Sequence, residues 1–298
     1  MNVLIAGGTG FIGSALSRSL LADKQRVFIL TRNAQWARTL FDAHVVEWDG
    51  RTCDGWLDVF GQMDAVVNLA GATIGEPFWT AKRKDILIRS RVDAGAAISD
   101  AFQKASKKPA ILVQASGVGY YGAHGAEPLN EDTPPGNDFL ASLAVDWEAS
   151  TKIVDALGVR RVIIRTAVVL GHKGILPLMA LPVRMFAGGP IGSGKQGVSW
   201  IHIDDEVRAI RFLLENNKAH GVYNLAAPNP LSNADFMRFM AQALRRPYWL
   251  RAPAVAFRLL GEMSTLLIDG QFAIPQRLVN QGFNFNFESA FDALKNLL

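Results

Sequence analysis

The sequence predicts an α/β fold in which a doubly wound parallel sheet carries a smaller C-terminal lobe. Three observations point there. Short, wholly apolar runs alternate with helical stretches, a glycine-rich turn separates the first run from the first helix, and the texture changes after Leu170. The 298 residues, 49% hydrophobic and 19% charged, are enough for a full core and exclude a disordered chain.

Val3-Leu4-Ile5-Ala6 has no polar alternation, as a strand buried on both faces requires. Gly7, Gly8 and Gly10 follow. Ile12, Leu16 and Leu20 then recur every four residues, the spacing of one helical face. Val27-Phe28-Ile29-Leu30 is the second strand. Further buried strands are expected at 65–69, 111–115, 162–164 and 222–225, with helices over 84–102, 140–157 and 206–215. Such alternation gives a parallel sheet covered by helices on both faces. After Leu170, Gly and Pro become frequent, at Pro177, Pro182, Gly188-Gly189-Pro190 and 192–197. From about Ser232 the chain reads as helical, with Phe236, Phe239 and Leu244 on one side of a helix. The expected division is a Rossmann-type dinucleotide-binding domain over 1–170, to which 201–227 returns, and a smaller substrate lobe from 171–200 and 228–298.

Charge excludes little but points away from nucleic acid. Lys plus Arg is 31 and Asp plus Glu is 27, a net charge of +4. The longest cationic run is Lys82-Arg83-Lys84, so the patterned basic patch of a nucleic-acid binder is missing despite a pI near 9.3. No apolar stretch approaches the ~18–20 residues of a membrane span. No basic region precedes the first apolar segment, as a secretory signal needs. Neither nucleic acid nor membrane is expected as a partner. Cys53, the one cysteine, forms no internal disulfide and fits a reducing cytoplasm, the expected location.

The turn Gly7-x-x-Gly10-x-x-Gly13 stands between strand and helix. Glycine there takes positive φ and lets a pyrophosphate approach the backbone, while the helix N-terminus offers N–H groups and a favourable dipole. Gly7, Thr9, Gly10, Phe11, Ile12 and Gly13 are therefore cofactor-binding candidates; a turn packed for steric reasons is the other reading. An acidic residue closing the second strand would bind the ribose hydroxyls of NAD. This chain has Thr31-Arg32-Asn33 there, with Arg38 shortly after. A guanidinium grips a 2′-phosphate that a carboxylate would repel, so Thr31, Arg32 and Arg38 predict NADP(H).

These pieces resemble the short-chain dehydrogenase/reductase superfamily, in its extended branch of sugar-nucleotide epimerases and dehydratases. The matching strings are Gly7-Gly8-Thr9-Gly10-Phe11-Ile12-Gly13, Asn68-Leu69-Ala70-Gly71, Ser116, Arg165 before Val168-Val169-Leu170-Gly171, and Trp200-Ile201-His202-Ile203-Asp204-Asp205. A closer resemblance is to the YfcH-like "epimerase family proteins". It rests on Ser90-Arg91, Gly119-Tyr120-Tyr121-Gly122, Asp146-Trp147-Glu148, the Gly188–Gly194 segment, Gly261-Glu262-Met263, Gly270-Gln271 and Ile274-Pro275-Gln276-Arg277-Leu278. The resemblance spans essentially the whole chain. It implies that Arg32 beside Thr31 holds the adenosine 2′-phosphate and that the cofactor lies along Leu69, Ala70 and Gly71. It implies further contacts from Arg91, Ala115 and Val169, and places Asp49 near the adenine edge.

The catalytic half of the pattern does not carry over. The superfamily moves protons with a Tyr and a Lys four residues later, the cation lowering the phenol pKa from ~10. The four tyrosines here are followed at that spacing by His124, Gly125, Ala227 and Ala252. In the extended branch a Glu follows the Lys by four. Glu148 fits that place, which puts Ala144 at the Lys position and Leu140 at the Tyr position. Ser116 alone keeps its role, a hydrogen bond to the substrate carbonyl. Tyr120 and Tyr121 are the replacement candidates, either as hydrogen-bond donors or as an aromatic wall. His124 reads as a solvated loop residue. His202-x-Asp204-Asp205 lacks a third ligand and reads as a structural cluster, so no metal is expected. Lys195-Gln196 meets an anion or is a solvated loop. Trp249, Phe257, Phe283, Phe285 and Phe287 read as core.

Two functions follow. One is an NADP(H)-dependent oxidoreductase or nucleotide-sugar epimerase acting on a small molecule. The other is a non-catalytic NADP(H)-dependent sensor that binds a partner.

Overall fold

Every strand of the main sheet is parallel to its neighbours. A computed structural model of the chain describes residues 1–76, 78–255 and 264–298. The sheet contains β1 (Asn2–Ala6), β2 (Arg26–Thr31), β3 (His44–Glu47), β4 (Ala65–Asn68), β5 (Ile111–Gly117), β7 (Arg160–Thr166) and β11 (Gly221–Leu225). Their order is β11-β7-β5-β4-β1-β2-β3. The order in which strands are added reverses between β1 and β4, the switch point at which such folds bind dinucleotides.

Six short strands pair off outside it. β6 (Pro128–Leu129) pairs with β13 (Phe272–Ala273), β8 (Val168–Leu170) with β10 (Trp200–His202), and β9 (Gly197–Val198) with β12 (Leu231–Ser232). The helices are α1 (Phe11–Ala22), α2 (Ala34–Leu40), α3 (Leu57–Phe60), α4 (Ala81–Lys104), α5 (Phe139–Ala149), α6 (Ile153–Ala156), α7 (Leu176–Arg184), α8 (Ile203–Glu215) and α9 (Asn233–Ala243). Three more, Thr265–Ile268, Gln276–Asn280 and Ala290–Leu297, close the described chain. Among the described residues no helix is long and apolar enough to cross a membrane.

Alternation within each strand sorts the core into two layers. Val3 and Ile5 of β1 pack with Leu16 and Leu20 of α1 and with Ile210 and Leu213 of α8. Leu4 and Ala6 face the other way, onto Ile98 and Phe102 of α4 and onto Trp56 and Phe60. A third cluster, with Trp200, Phe236, Met240 and Leu294, joins α7, α9 and the last helix. Asp205, fully buried, accepts hydrogen bonds from the backbone of Asn286 and Phe287 and so straps the C-terminal segment to α8. His202 caps α8 by accepting from Asp204 N at 3.1 Å and stacks on Phe287. Its part in this chain is therefore structural.

Three details depart from the sequence expectation. The 140–157 helix is interrupted: α5 ends at Ala149 and α6 begins at Ile153. The cause is a close approach. Gly95 of α4 lies so near Ser150 that a Cβ on it would be 1.9 Å from the Ser150 hydroxyl, and Ser99 donates to Ser150 O at 2.8 Å. β3 was not foreseen at all, because its four residues are only half-buried and show no apolar run. Its pairing with β2 and the stacking of His44 on Phe28, centroids 4.6 Å apart, hold it. Trp249 is not core but 68% exposed, while Phe283 is buried. Phe257 and Gly261-Glu262-Met263 lie outside the described residues.

Glu206 in the first turn of α8 is fully buried; its Oε1 accepts from Thr166 at 2.9 Å, and Oε2 has no partner. Burial pushes its pKa from 4.5 to about 8. The folded chain therefore keeps a proton that the unfolded chain releases. Stability from this group is complete below about pH 4.5 and is lost as pH rises through about 8, at no more than about 1.4 kcal/mol per pH unit. Glu206→Gln, which imitates the protonated form, should flatten the dependence of urea-unfolding stability on pH between these limits. An unchanged slope would show that Glu206 is ionised in the native state.

Candidate functional site

β1 hands the chain to the turn at Gly7, whose φ of +79° is left-handed, and a Cβ there would lie 2.7 Å from the Leu69 carbonyl oxygen. A Cβ on Gly13 would lie 2.2 Å from Gly7 O, so α1 runs hard against the turn it follows. Gly10 donates to Gly7 O at 3.0 Å and forms the N-cap of α1, with no side-chain cap and no acidic residue in the first turn. The leading N–H groups of α1 are thus left for an anion. Thr9, Phe11 and Ile12 are partly exposed along this turn. The Phe11 ring packs on Gly171 and Gly174, joining the turn to the segment that follows β8.

At the end of β2, Thr31 accepts from Asn33 N, and Asn33 caps α2 by accepting from Trp36 N. Arg32 and Arg38 are both exposed, and neither makes an ion pair among the described residues. Arg32 lies beside Gly50, its Cδ 3.9 Å from where a Cβ would sit. Asp49 is turned to its own loop, accepting from Arg51 N and Thr52 N, and these two bonds hold its carboxyl below the usual range. At the end of β4, Leu69 and Ala70 are half-buried and Gly71 is exposed.

Arg91 comes to this strand end from beneath. Its guanidinium donates to Ala72 O (3.0 Å) and Leu87 O (3.1 Å), and it lies 4.9 Å from the centroid of Trp147. Desolvation, with the Arg83 charge behind it, lowers its pKa to about 10. It has no carboxylate partner among the described residues, so it makes the floor of the groove positive while bracing its backbone. Ala115 and Val169 fall in the core cluster shared with β1 and α8, each less than a tenth exposed.

The catalytic candidates are joined by residues that the sequence did not mark as a site. Ser116, closing β5, donates to Glu148 Oε1 at 2.7 Å. Arg165, its neighbour on β7, grips the same carboxylate through Nε (2.9 Å) and Nη2 (3.1 Å). Burial opposes the Arg165 charge, but the Glu148 bonds and charge outweigh it and raise its pKa. Its guanidinium carbon lies 3.3 Å from the Tyr120 ring centroid, a stacked cation–π contact. Tyr120 is half-exposed and walls this end of the site.

Tyr121 does not serve as a ligand-facing donor. It is fully buried, its hydroxyl donates to Asn224 Oδ1 (2.7 Å) and accepts from Arg165, and burial raises its pKa. Beyond it, Glu131 Oε1 accepts from Asn224 N and Arg277 N, which fastens the C-terminal segment to the same network. Asn224 and Glu131 carry no motif, and only the folded chain brings them here.

Leu140 stands on α5 against Gly119, one turn of chain past Ser116, and Ala144 is buried one helical turn further on. No proton-transferring side chain fills either place. Leu140 instead lines a cavity of about 290 Å³ with Trp79, Phe139, Lys84, Asp138 and Thr265. A second, more open cavity of about 520 Å³ lies by Arg208, Arg211 and Phe283. His124 is exposed in its loop, as is Lys195.

A glycine turn under an uncapped helix, at the switch point of a parallel sheet, defines a Rossmann-type fold. The chain belongs to the NAD dependent epimerase/dehydratase family, whose profile matches residues 3–226; a domain of unknown function, DUF1731, matches residues 252–297. It is 38% identical to the epimerase family protein YfhF of Bacillus subtilis, over 100% of this chain and 98% of that one. It is 37% identical to the chloroplastic SDR39U1 homolog of Arabidopsis thaliana, an epimerase family protein, over 100% of this chain and 87% of that one. The crystal structure of human epimerase family protein SDR39U1 (isoform 2) with NADPH is similar at a TM-score of 0.87 and 32% identity, covering 100% of this chain and 99% of that one. A Thermus thermophilus UDP-glucose 4-epimerase structure, at 18% identity and TM-score 0.76 over the full length of both chains, shares the fold.

Removing one member of the Glu148–Arg165 pair leaves a buried charge uncompensated. Glu148→Ala should lower the unfolding free energy by about 3–5 kcal/mol. The double replacement Glu148→Leu with Arg165→Met should recover much of that loss in urea titrations. Equal losses for single and double variants would show that the two side chains do not act as a pair.

Proposed function

We propose that this protein is an NADP(H)-dependent oxidoreductase acting on a hydroxyl or carbonyl group of a small molecule. The observation that carries the reading is Ser116 Oγ held 2.7 Å from Glu148 at the C-terminal edge of the sheet that carries the dinucleotide turn. The residues fit the cofactor: the uncapped α1 N-terminus suits a pyrophosphate, and Arg32 and Arg38, free of carboxylates, suit a 2′-phosphate. The NADPH in the human relative's structure supports the same choice. When bound, the nicotinamide supplies or accepts the hydride.

The chain's own part is to place the substrate and move its proton. Ser116 directs its hydrogen at Glu148 and so presents lone pairs outward, fit to accept from a substrate hydroxyl. A proton leaving that hydroxyl goes to Ser116 Oγ as Ser116's own proton passes to Glu148 Oε1. Arg165, with two donors on Glu148, fixes the carboxylate for this relay. Tyr120 confines the reacting end. Epimerisation needs proton removal and return in two opposite half-reactions, and the same relay run in reverse would return the proton, so the redox step common to both reactions is the one proposed. A second reading, a non-catalytic cofactor sensor, draws on Leu140 and Ala144 at the usual acid–base positions.

Calorimetric titration with NADPH and NADH tests the cofactor, and a screen of carbonyl compounds with NADPH loaded tests the reaction. Arg32→Ala should weaken NADPH about 10- to 100-fold and leave NADH unchanged; equal losses would remove the 2′-phosphate assignment. Ser116→Ala should keep NADPH affinity and lose about 10²- to 10⁴-fold in turnover. Tight NADPH binding with no carbonyl reduced by the wild type would favour the sensor.

A further inference from the structure

The second lobe leaves a large apolar surface in water. Leu178, Leu181 and Met185 stand at i, i+3 and i+7 along α7 and its cap, 61%, 52% and 71% exposed. The stripe ends on Phe186, 55% exposed, whose φ of +63° is a left-handed conformation that bulky side chains rarely adopt. Trp249, 68% exposed, is tied to it, its indole N–H donating to Phe186 O at 2.9 Å. The pairing of Gly188 with Tyr248 and of Ile191 with Ala252 makes one face of the two chain segments. A contiguous exposed apolar patch of this kind marks an interaction site.

Its charge says what the partner is. Residues 171–203 contain no Asp or Glu, and neither do residues 236–261. Arg184, Arg245, Arg246 and Arg251 are exposed in these segments, and none has a carboxylate partner among the described residues. Arg246 lies over the Phe186 ring, 4.6 Å from its centroid. Asp235 on adjoining α9 is taken by Arg238 at 3.0 Å.

We propose that this face docks the protein on an anionic lipid surface, with Met185, Phe186 and Trp249 entering the interface and the arginines meeting phosphate headgroups. Exposed aromatic and aliphatic tips among unpaired cations are what such a surface binds. A second copy fits poorly, because a symmetric pair would set arginines against arginines. An acidic peptide would call for a groove, and both cavities described above lie elsewhere. The absence of a membrane span does not bear on this, since peripheral docking needs none. The proposal is independent of the cofactor reading.

The test is co-sedimentation of the full chain with vesicles of phosphatidylcholine alone or mixed equally with phosphatidylglycerol. The protein should pellet with the mixed vesicles, stay in solution with phosphatidylcholine alone, and be released by high salt. The pair Arg245→Glu with Arg246→Glu should lower binding about tenfold or more, as should Met185→Ser with Trp249→Ser. All four positions are exposed, so circular dichroism melts should stay near wild type. No pelleting with mixed vesicles, or pelleting that both variants leave intact, overturns the proposal. Sedimentation velocity provides the other arm: a wild-type dimer that these variants split, without lipid binding, would assign the face to a second copy.

Discussion

The buried pair of Arg165 and Glu148 holds together parts of the chain that have no other reason to meet. Two charges taken out of water cost more than their mutual attraction returns unless every remaining donor and lone pair is used. Here they are used. Glu148 accepts from Ser116 and twice from Arg165, and Arg165 gives further bonds to Tyr121 and the Glu131 carbonyl. From Tyr121 the network runs to Asn224, and from Asn224 to the Glu131 carboxylate, which also receives Arg277. Two central strands, the edge strand β11, helix α5 and the C-terminal segment are thereby fixed around one hydroxyl.

That dependence explains why the fold was more legible than the site. β1, the turn and α1 are local: an apolar run, three glycines and a period of four fall within the first 20 residues. The other buried strands announce themselves because both faces are covered. β3 does not, since it is held by one neighbour and half-exposed. The break after α5 was hidden for a different reason. Ser150 and Lys152 do not forbid a helix, and the interruption comes from the approach of Gly95, 55 positions earlier in the chain. The Tyr121–Asn224 bond joins residues 103 apart, and no period or spacing encodes it. Tyr120 and Tyr121 are alike in sequence, and only the fold separates the half-exposed ring of the first from the buried, hydrogen-bonded hydroxyl of the second. Trp249 misled for the converse reason: an aromatic is usually core, and its exposure is a property of the surface it belongs to.

The site also shows what replaces a missing acid–base pair in space. Leu140 and Ala144 leave an apolar helix face where a phenol and an ammonium would stand. The volume goes to a cavity walled by Trp79, Phe139 and Leu140, with Lys84 and Asp138 at its polar side. Such a wall selects by shape and by one or two polar contacts.

The two halves of the site differ in how tightly folding constrains them. The glycine-turn half is made of close approaches: any Cβ at Gly7 or Gly13 collides with backbone, so these glycines are what let α1 pack against the turn that follows β1. It cannot be altered without disturbing the sheet. The acid–base positions lie on one side of α5, and Leu and Ala, which are good helix formers, occupy them without strain. Chemistry at those two positions is separable from folding, whereas the Ser116–Glu148–Arg165 group is not. The residues gathered around the Ser116 hydroxyl are those that also hold these strands together.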